Sequence, residues 1–140
     1  QAVPGGRDGT LAVHVAQSAA TATGPQVAAV QAYIDTVRPV TDSPTVTAAT
    51  AVTVNVTATI YVLAASDSTA NRALATDAMS AYINGLDLGD ATVDVVKLGA
   101  AIYAAAGIRD VDVVIPAADV SISAGQVAVV GTYTLTWTTV

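Results

Sequence analysis

Residues 25–62 read PQVAAVQAYIDTVRPVTDSPTVTAATAVTVNVTATIYV, and the change of period inside this stretch decides the fold class. In its first third, apolar residues recur at Val27, Val30, Tyr33, Ile34 and Val37, with Gln26, Gln31 and Asp35 turned away. That is the spacing of one helical face. Pro25 suits the first helical position, where its missing N–H would have no partner. Pro39 ends the run, because the residue before a proline is pushed out of the α region. Arg38 sets a cation at the negative end of the helix dipole, and Asp42-Ser43-Pro44 is turn chemistry. From Val52 the period becomes two. Val52, Val54, Val56, Ala58, Ile60 and Val62 face one way, and Thr53, Asn55, Thr57, Thr59 and Tyr61 the other, as in a strand buried on one side. Val46 and Ala48 continue that parity; Ala49-Thr50 interrupts it, which predicts a bulge or bend. Asn55-Val56-Thr57 also fits a glycosylation sequon, but in mid-strand it reads as polar face.

Upstream, Gly5-Gly6-Arg7-Asp8-Gly9 is turn-forming and lacks the Lys-Ser/Thr of a phosphate loop. Residues 1–9 are therefore expected to be a flexible entry segment, and residues 10–140 a single α+β domain. Residues 10–16 read as a strand with Leu11, Val13 and Val15 on one face and His14 on the other, and residues 18–23 as a loop. Downstream, Ser66-Asp67-Ser68 offers N-caps for a helix with the stripe Leu74, Ala75, Ala78, Met79, Tyr82 and Ile83, closed by Asn84-Gly85. Residues 86–91 form a turn-rich link.

A third helix is expected over 93–106, with Val95, Leu98, Ile102 and Ala105 inward and Gly107 as its stop. Residues 108–115 read as a strand ended by Pro116, and 117–125 as a loop or short edge segment. Two further strands follow at 126–130 and 132–138, the last with Tyr133, Leu135 and Trp137 on one face. The order predicts an α+β, two-layer sandwich: a mixed β-sheet with two to three helices packed on one face. The first strand–helix–strand unit is a right-handed crossover if its strands are parallel.

Composition narrows the function. A chain of 140 residues buries about 68% of its unfolded surface. Hydrophobic residues make up 53% of it, yet aromatics only 4%, so the core is built from small aliphatic side chains. Charged residues are 11%, sparse for the surface of a free monomer and suited to permanent contact with other subunits. The net charge of −6 and the absence of any basic cluster argue against nucleic acid and anionic lipid as partners. No cysteine is present, which excludes disulfides, thiolate metal sites and a cysteine nucleophile. Neither a leader pattern nor a membrane-spanning helix is read, and the chain is expected to be soluble.

The chemistry-bearing residues do not assemble into a site. His14 has no second His and no orienting acid nearby, and reads as a surface or interface residue. Asp87, Asp90 and Asp94 lack the alternating oxygen ligands of a calcium loop and read as acidic surface or helix N-terminal charge. Asp110 and Asp112 share one face of a strand. No serine sits in a Gly-x-Ser-x-Gly elbow. The expectation is a protein that is not an enzyme and uses no cofactor or metal.

A family resemblance gives the specific reading. The run Val30-Gln31-Ala32-Tyr33-Ile34-Asp35, then Arg38-Pro39-Val40-Thr41-Asp42, Val46-Thr47-Ala48 and residues 52–60 resembles the baseplate J family. Gly85-Leu86-Asp87-Leu88-Gly89, Val93, Leu98 and Ala106-Gly107-Ile108-Arg109-Asp110-Val111 continue the likeness, as does the Gly-rich run at residues 4–13. It covers nearly the whole chain and corresponds to the C-terminal part of a usual J protein. The resemblance implies a structural component of a contractile phage tail, or tail-like injection machine, located in the baseplate wedge and assembled in the host cytoplasm. Its partners are other wedge and tail proteins, six-fold around the tail tube, and it helps couple receptor engagement to sheath contraction. The resemblance also implies structural roles for Tyr33, Asp35, Arg38, Pro39, Thr41, Asp42, Gly89, Gly107 and Asp110. A surface binding module for a glycan or protein, using Trp137 on a Thr-rich sheet, is the alternative.

Overall fold

The computed structural model describes residues 11–17, 20–39, 42–89 and 91–140. In chain order the elements are β1 (Ala12–Gln17), β2 (Ala20–Thr21), α1 (Gly24–Val37), β3 (Thr45–Ala48), β4 (Thr50–Val62), α2 (Thr69–Asn84), β5 (Ala91–Val93), α3 (Val95–Tyr103), β6 (Ile108–Ile115), β7 (Val120–Ile122) and β8 (Gln126–Thr139). The expected entry segment 1–9, with Thr10 and Thr41, lies outside the described residues.

The fold is α+β, built on β4. Val54, Val56, Ala58, Ile60 and Val62 are each at most 2% exposed, and the threonines between them are not buried, so the period-two reading holds along the strand. β4 is the centre of a mixed sheet of order β6-β4-β8, antiparallel to β6 and parallel to β8. Helices α2 and α3 cover its inner face. Ala75, Met79 and Ile83 of α2 and Leu98 and Ile102 of α3 join Val54, Val56 and Ile60 in one cluster with Val93, Ile108 and Ile122. Aliphatic residues fill it, with Trp137 and Leu135 packed at its margin.

The strands do not form one sheet. β1 pairs with β3 in parallel and with β2 antiparallel, giving a second sheet, and β5 pairs with β7 in a third. The interruption at Ala49-Thr50 is where the chain leaves the β1–β3 sheet for the central one. Ala49 is buried there, and its N–H donates to Val15 O at 2.8 Å while that of Thr50 donates to Gly125 O at 2.9 Å. Because β1 and β3 are parallel neighbours, α1 is the crossover between them.

Four local expectations need correction. The loop expected at 18–23 contains β2, whose residues find backbone partners on β1. The third helix ends at Tyr103 with Ala104 as its C-cap, short of the expected 106. It also starts late, at Val95, since Asp94 is its N-cap: the Asp94 carboxylate accepts from the N–H groups of Val96 (2.8 Å) and Lys97 (3.0 Å). Val93 instead lies in β5, fully buried. The two strands expected at 126–130 and 132–138 are one strand with a bulge. Val54 pairs with Val130 and Val56 with Tyr133, so the inward parity of β8 switches from even to odd across Gly131-Thr132. A Cβ on Gly131 would sit 2.2 Å from Asn55 Oδ1 and 3.2 Å from the Val54 carbonyl oxygen, so a larger residue there would have to push the Asn55 side chain aside.

The largest correction concerns α1. Its apolar stripe is not buried: Val27, Val30 and Ile34 are half-covered, while Tyr33 is 68% and Val37 61% exposed. The helix rests on β3, a strand of four residues, which gives its apolar face too small a platform. Leu11 and Leu74, also expected inward, are exposed, and Ala48 is exposed although Val46 is buried.

Candidate assembly surfaces

The corner between α1 and β3 is held by side chains rather than by a core. Gln31 is its clamp: Nε2 donates to Pro44 O and to Asp35 Oδ1, both at 3.1 Å, and Oε1 accepts from the Val46 N–H at 2.8 Å. Asp35 Oδ1 also lies 3.0 Å from Arg38 Nε, and the Arg38 guanidinium donates to the Asp42 carbonyl. Asp42 N–H closes the turn on Pro39 O at 3.1 Å. Arg38, Pro39 and Asp42 line a cavity of about 260 Å³ with Leu11, Val13, Ile34 and Pro44. The structure thus brings Asp35, Arg38, Pro39 and Asp42 together, and leaves Tyr33 on the exposed side of α1. Gln31 was not singled out by the sequence, because its two β-side partners lie 13 and 15 residues away.

The remaining signature residues lie elsewhere. Gly107 follows α3 with φ +80°, and a Cβ there would sit 2.1 Å from Ser66 Cβ, in the 3-10 turn after β4. The Gly107 carbonyl accepts from Leu63 N–H at 3.0 Å, so this glycine joins the end of β4 to the start of β6. Gly89 has φ +68° and donates its N–H to Gln126 O at 2.9 Å. Asp110, exposed on β6, accepts from the Val111 N–H at 2.9 Å. Beside it, a groove of about 440 Å³ runs between α3 and β6, floored by Val95, Gly99, Val111 and Val113 and flanked by Val96 and Tyr103.

The aspartates serve local structure. Asp94 caps α3, and its own N–H donates to Tyr82 OH at 3.0 Å. Asp119 accepts from Val95 N–H at 2.9 Å, so two carboxylates sit at the positive end of that helix. Asp87 is exposed, and Asp90 lies outside the described residues. Among the described residues no three His or Asp side chains come close enough together to hold a metal ion. Asp67 receives two hydrogen bonds from the Arg72 guanidinium, at 2.7 and 2.8 Å, which hold its carboxyl below the usual carboxylate range. The same Arg72 lies 5.2 Å from the ring centroid of Trp137, so a face of that indole already has a cation over it. His14 is exposed; its Nδ1 is 3.0 Å from Thr47 Oγ1, and its ring packs over Gly125. No described helix is long and apolar enough to cross a membrane.

A family model described as the Baseplate J-like protein C-terminal domain matches residues 54–136. The match begins inside β4 and runs into β8, taking in α2, α3, Gly89, Gly107 and Asp110. The α1–β3 corner, with Tyr33, Asp35, Arg38, Pro39, Thr41 and Asp42, lies before it. No curated protein matches the chain.

Proposed function

Given that the chain belongs to the Baseplate J-like protein C-terminal domain family, and so has a structural role in a phage baseplate, we propose that it is a wedge component of a contractile tail or tail-like injection machine. It assembles in the host cytoplasm with other wedge and tail proteins, six-fold around the tail tube, and helps couple receptor engagement to sheath contraction. It performs no catalysis and takes no cofactor.

The observation that carries this reading is the position of the family match. Residues 54–136 are the part of the chain that forms the helix-covered sheet and nearly all of its core cluster. Two further observations support it. The surface is poor in charge, and α1 carries an apolar stripe whose Tyr33 and Val37 the described residues leave exposed. In this reading the signature residues work by shape. Asp35, Arg38, Pro39 and Asp42 set the angle of the corner, Tyr33 faces a neighbour, and Gly89, Gly107 and Asp110 fix the turns and the edge around α3.

Cross-linking mass spectrometry on intact particles tests it. Cross-links from this chain to other baseplate proteins at the distal end of the tail are expected, with Lys97 and the chain's carboxylates as handles. Particles in which the chain is absent from the tail, or cross-links only along the tube, would overturn the assignment.

A further inference from the structure

The central sheet has two outer strands, and they are finished differently. β6 carries Arg109, Asp110 and Asp112, and Pro116 follows its end. Its pairing with β4 is irregular twice, and Asp110 occupies the Val111 N–H. Charges, bulges and a terminal proline are the features that keep a sheet edge from recruiting another strand.

β8 has none of these along its last seven residues. From Gln126 to Val140 there is no charged residue and no proline. After the bulge at Gly131, residues 133–139 pair with residues 56–62 without interruption, and no described strand pairs with the outer side of β8. Tyr133 is 50% exposed on the α2 side of the sheet. Thr134 and Thr136, on the other side, are exposed too. Seven regular residues are longer than an average strand, and their backbone groups on the open side need partners.

We infer that this edge pairs with the same edge of a second copy of the chain, antiparallel, about a two-fold axis at Leu135. The sequence selects that occupant. Residues 132–138 read Thr-Tyr-Thr-Leu-Thr-Trp-Thr, a pattern of threonine and apolar residues that is symmetric about Leu135. Antiparallel pairing about that residue sets Tyr133 opposite the partner's Trp137, Thr134 opposite the partner's Thr136, and Leu135 opposite its own copy. Aromatic pairs and threonine pairs are favourable cross-strand neighbours. A chain of net charge −6 meets itself there without a charge on either strand. The axis stands perpendicular to the sheet, so the helix layers of both copies lie on one face of a continuous six-stranded sheet, an isologous contact. The inference does not depend on where in a tail the protein resides.

The test is sedimentation equilibrium of the full chain, with cysteine pairing to fix the register. The native chain is expected to show a concentration-dependent dimer. Thr134→Lys/Thr136→Lys, which sets lysine against lysine twice across the axis at exposed positions, is expected to weaken dimerisation by on the order of tenfold or more. Val114→Lys on the β6 edge is expected to leave it unchanged. Because the chain has no cysteine of its own, an equal mixture of Thr134→Cys and Thr136→Cys chains should oxidise to a cross-linked dimer more readily than either variant alone. A native chain that stays monomeric at its highest soluble concentration would overturn the inference and leave the edge to a strand of another protein. A dimer indifferent to the lysine pair but lost in Val114→Lys, or equal cross-linking in each single variant, would overturn it as well.

Discussion

Helices α1 and α3 both present an apolar stripe in sequence, yet they end in different environments. On α3, Leu98 and Ile102 are completely buried against β6 and α2. On α1 no residue is buried, and Tyr33 and Val37 keep most of their surface. The difference lies in what each helix lands on. α3 meets a sheet whose central strand is 13 residues long, whereas α1 meets a strand of four. A stripe states which face of a helix is apolar; only the partner's size decides whether that face is dry. The α1 corner is therefore held by hydrogen bonds from Gln31, Asp35 and Arg38, and the α2–α3 half by area removed from water.

Paired substitutions measure that contrast. Val56→Asp buries an unpaired carboxylate in the central strand and is expected to cost about 4 kcal/mol or more, enough to prevent folding, whereas Val30→Asp on α1 costs about 1 kcal/mol. Thermal melts of both decide it, and equal losses would erase the distinction between the two halves. Met79→Ala removes a fully buried side chain and is expected to cost roughly 2–5 kcal/mol by urea denaturation, against about 0.5 kcal/mol or less for Val37→Ala. Gly107→Ala forces a Cβ into Ser66 at a positive φ and is expected to cost roughly 1–3 kcal/mol. Gly24→Ala at the start of α1 meets nothing within 4 Å and is expected to be nearly neutral.

The smallest effect is electrostatic. The Arg72 pair depresses the Asp67 carboxyl, so its contribution is present above the ordinary carboxylate range and is lost as pH falls through the depressed value. Asp67→Asn is therefore expected to melt slightly below the parent at neutral pH and to converge with it in strong acid. A gap that widens toward low pH would contradict the pairing.

What the sequence made legible follows the same line. The parity of β4 could be read because a strand flanked on both sides, with one face dry, writes its burial into every second residue. Gly107 could be read as a turn glycine, where the positive φ has a residue-level signature, but the helix before it already ends at Tyr103. The start of α3 had its signal in Asp94, but apolar Val93 before it extended the helical pattern by two residues. Gly131 looked like a break between strands, although the backbone there runs on through a bulge against Asn55. The division into three sheets, the exposure of α1 and the Gln31 clamp rest on contacts between residues far apart in the chain, and local pattern does not encode those. Of the signature residues, only Gly107 announced its geometry. The grouping of Asp35, Arg38 and Asp42 emerged from the turn they enclose.

Hydrogen–deuterium exchange on the free chain, read amide by amide, tests the division between the two halves most directly. Amides of β4 from Val54 to Val62 and of α2 around Met79 should exchange only with global unfolding, while those of α1 should open locally and orders of magnitude faster. Protection of α1 equal to that of β4 would show that the corner shares the core's stability, contrary to this structure.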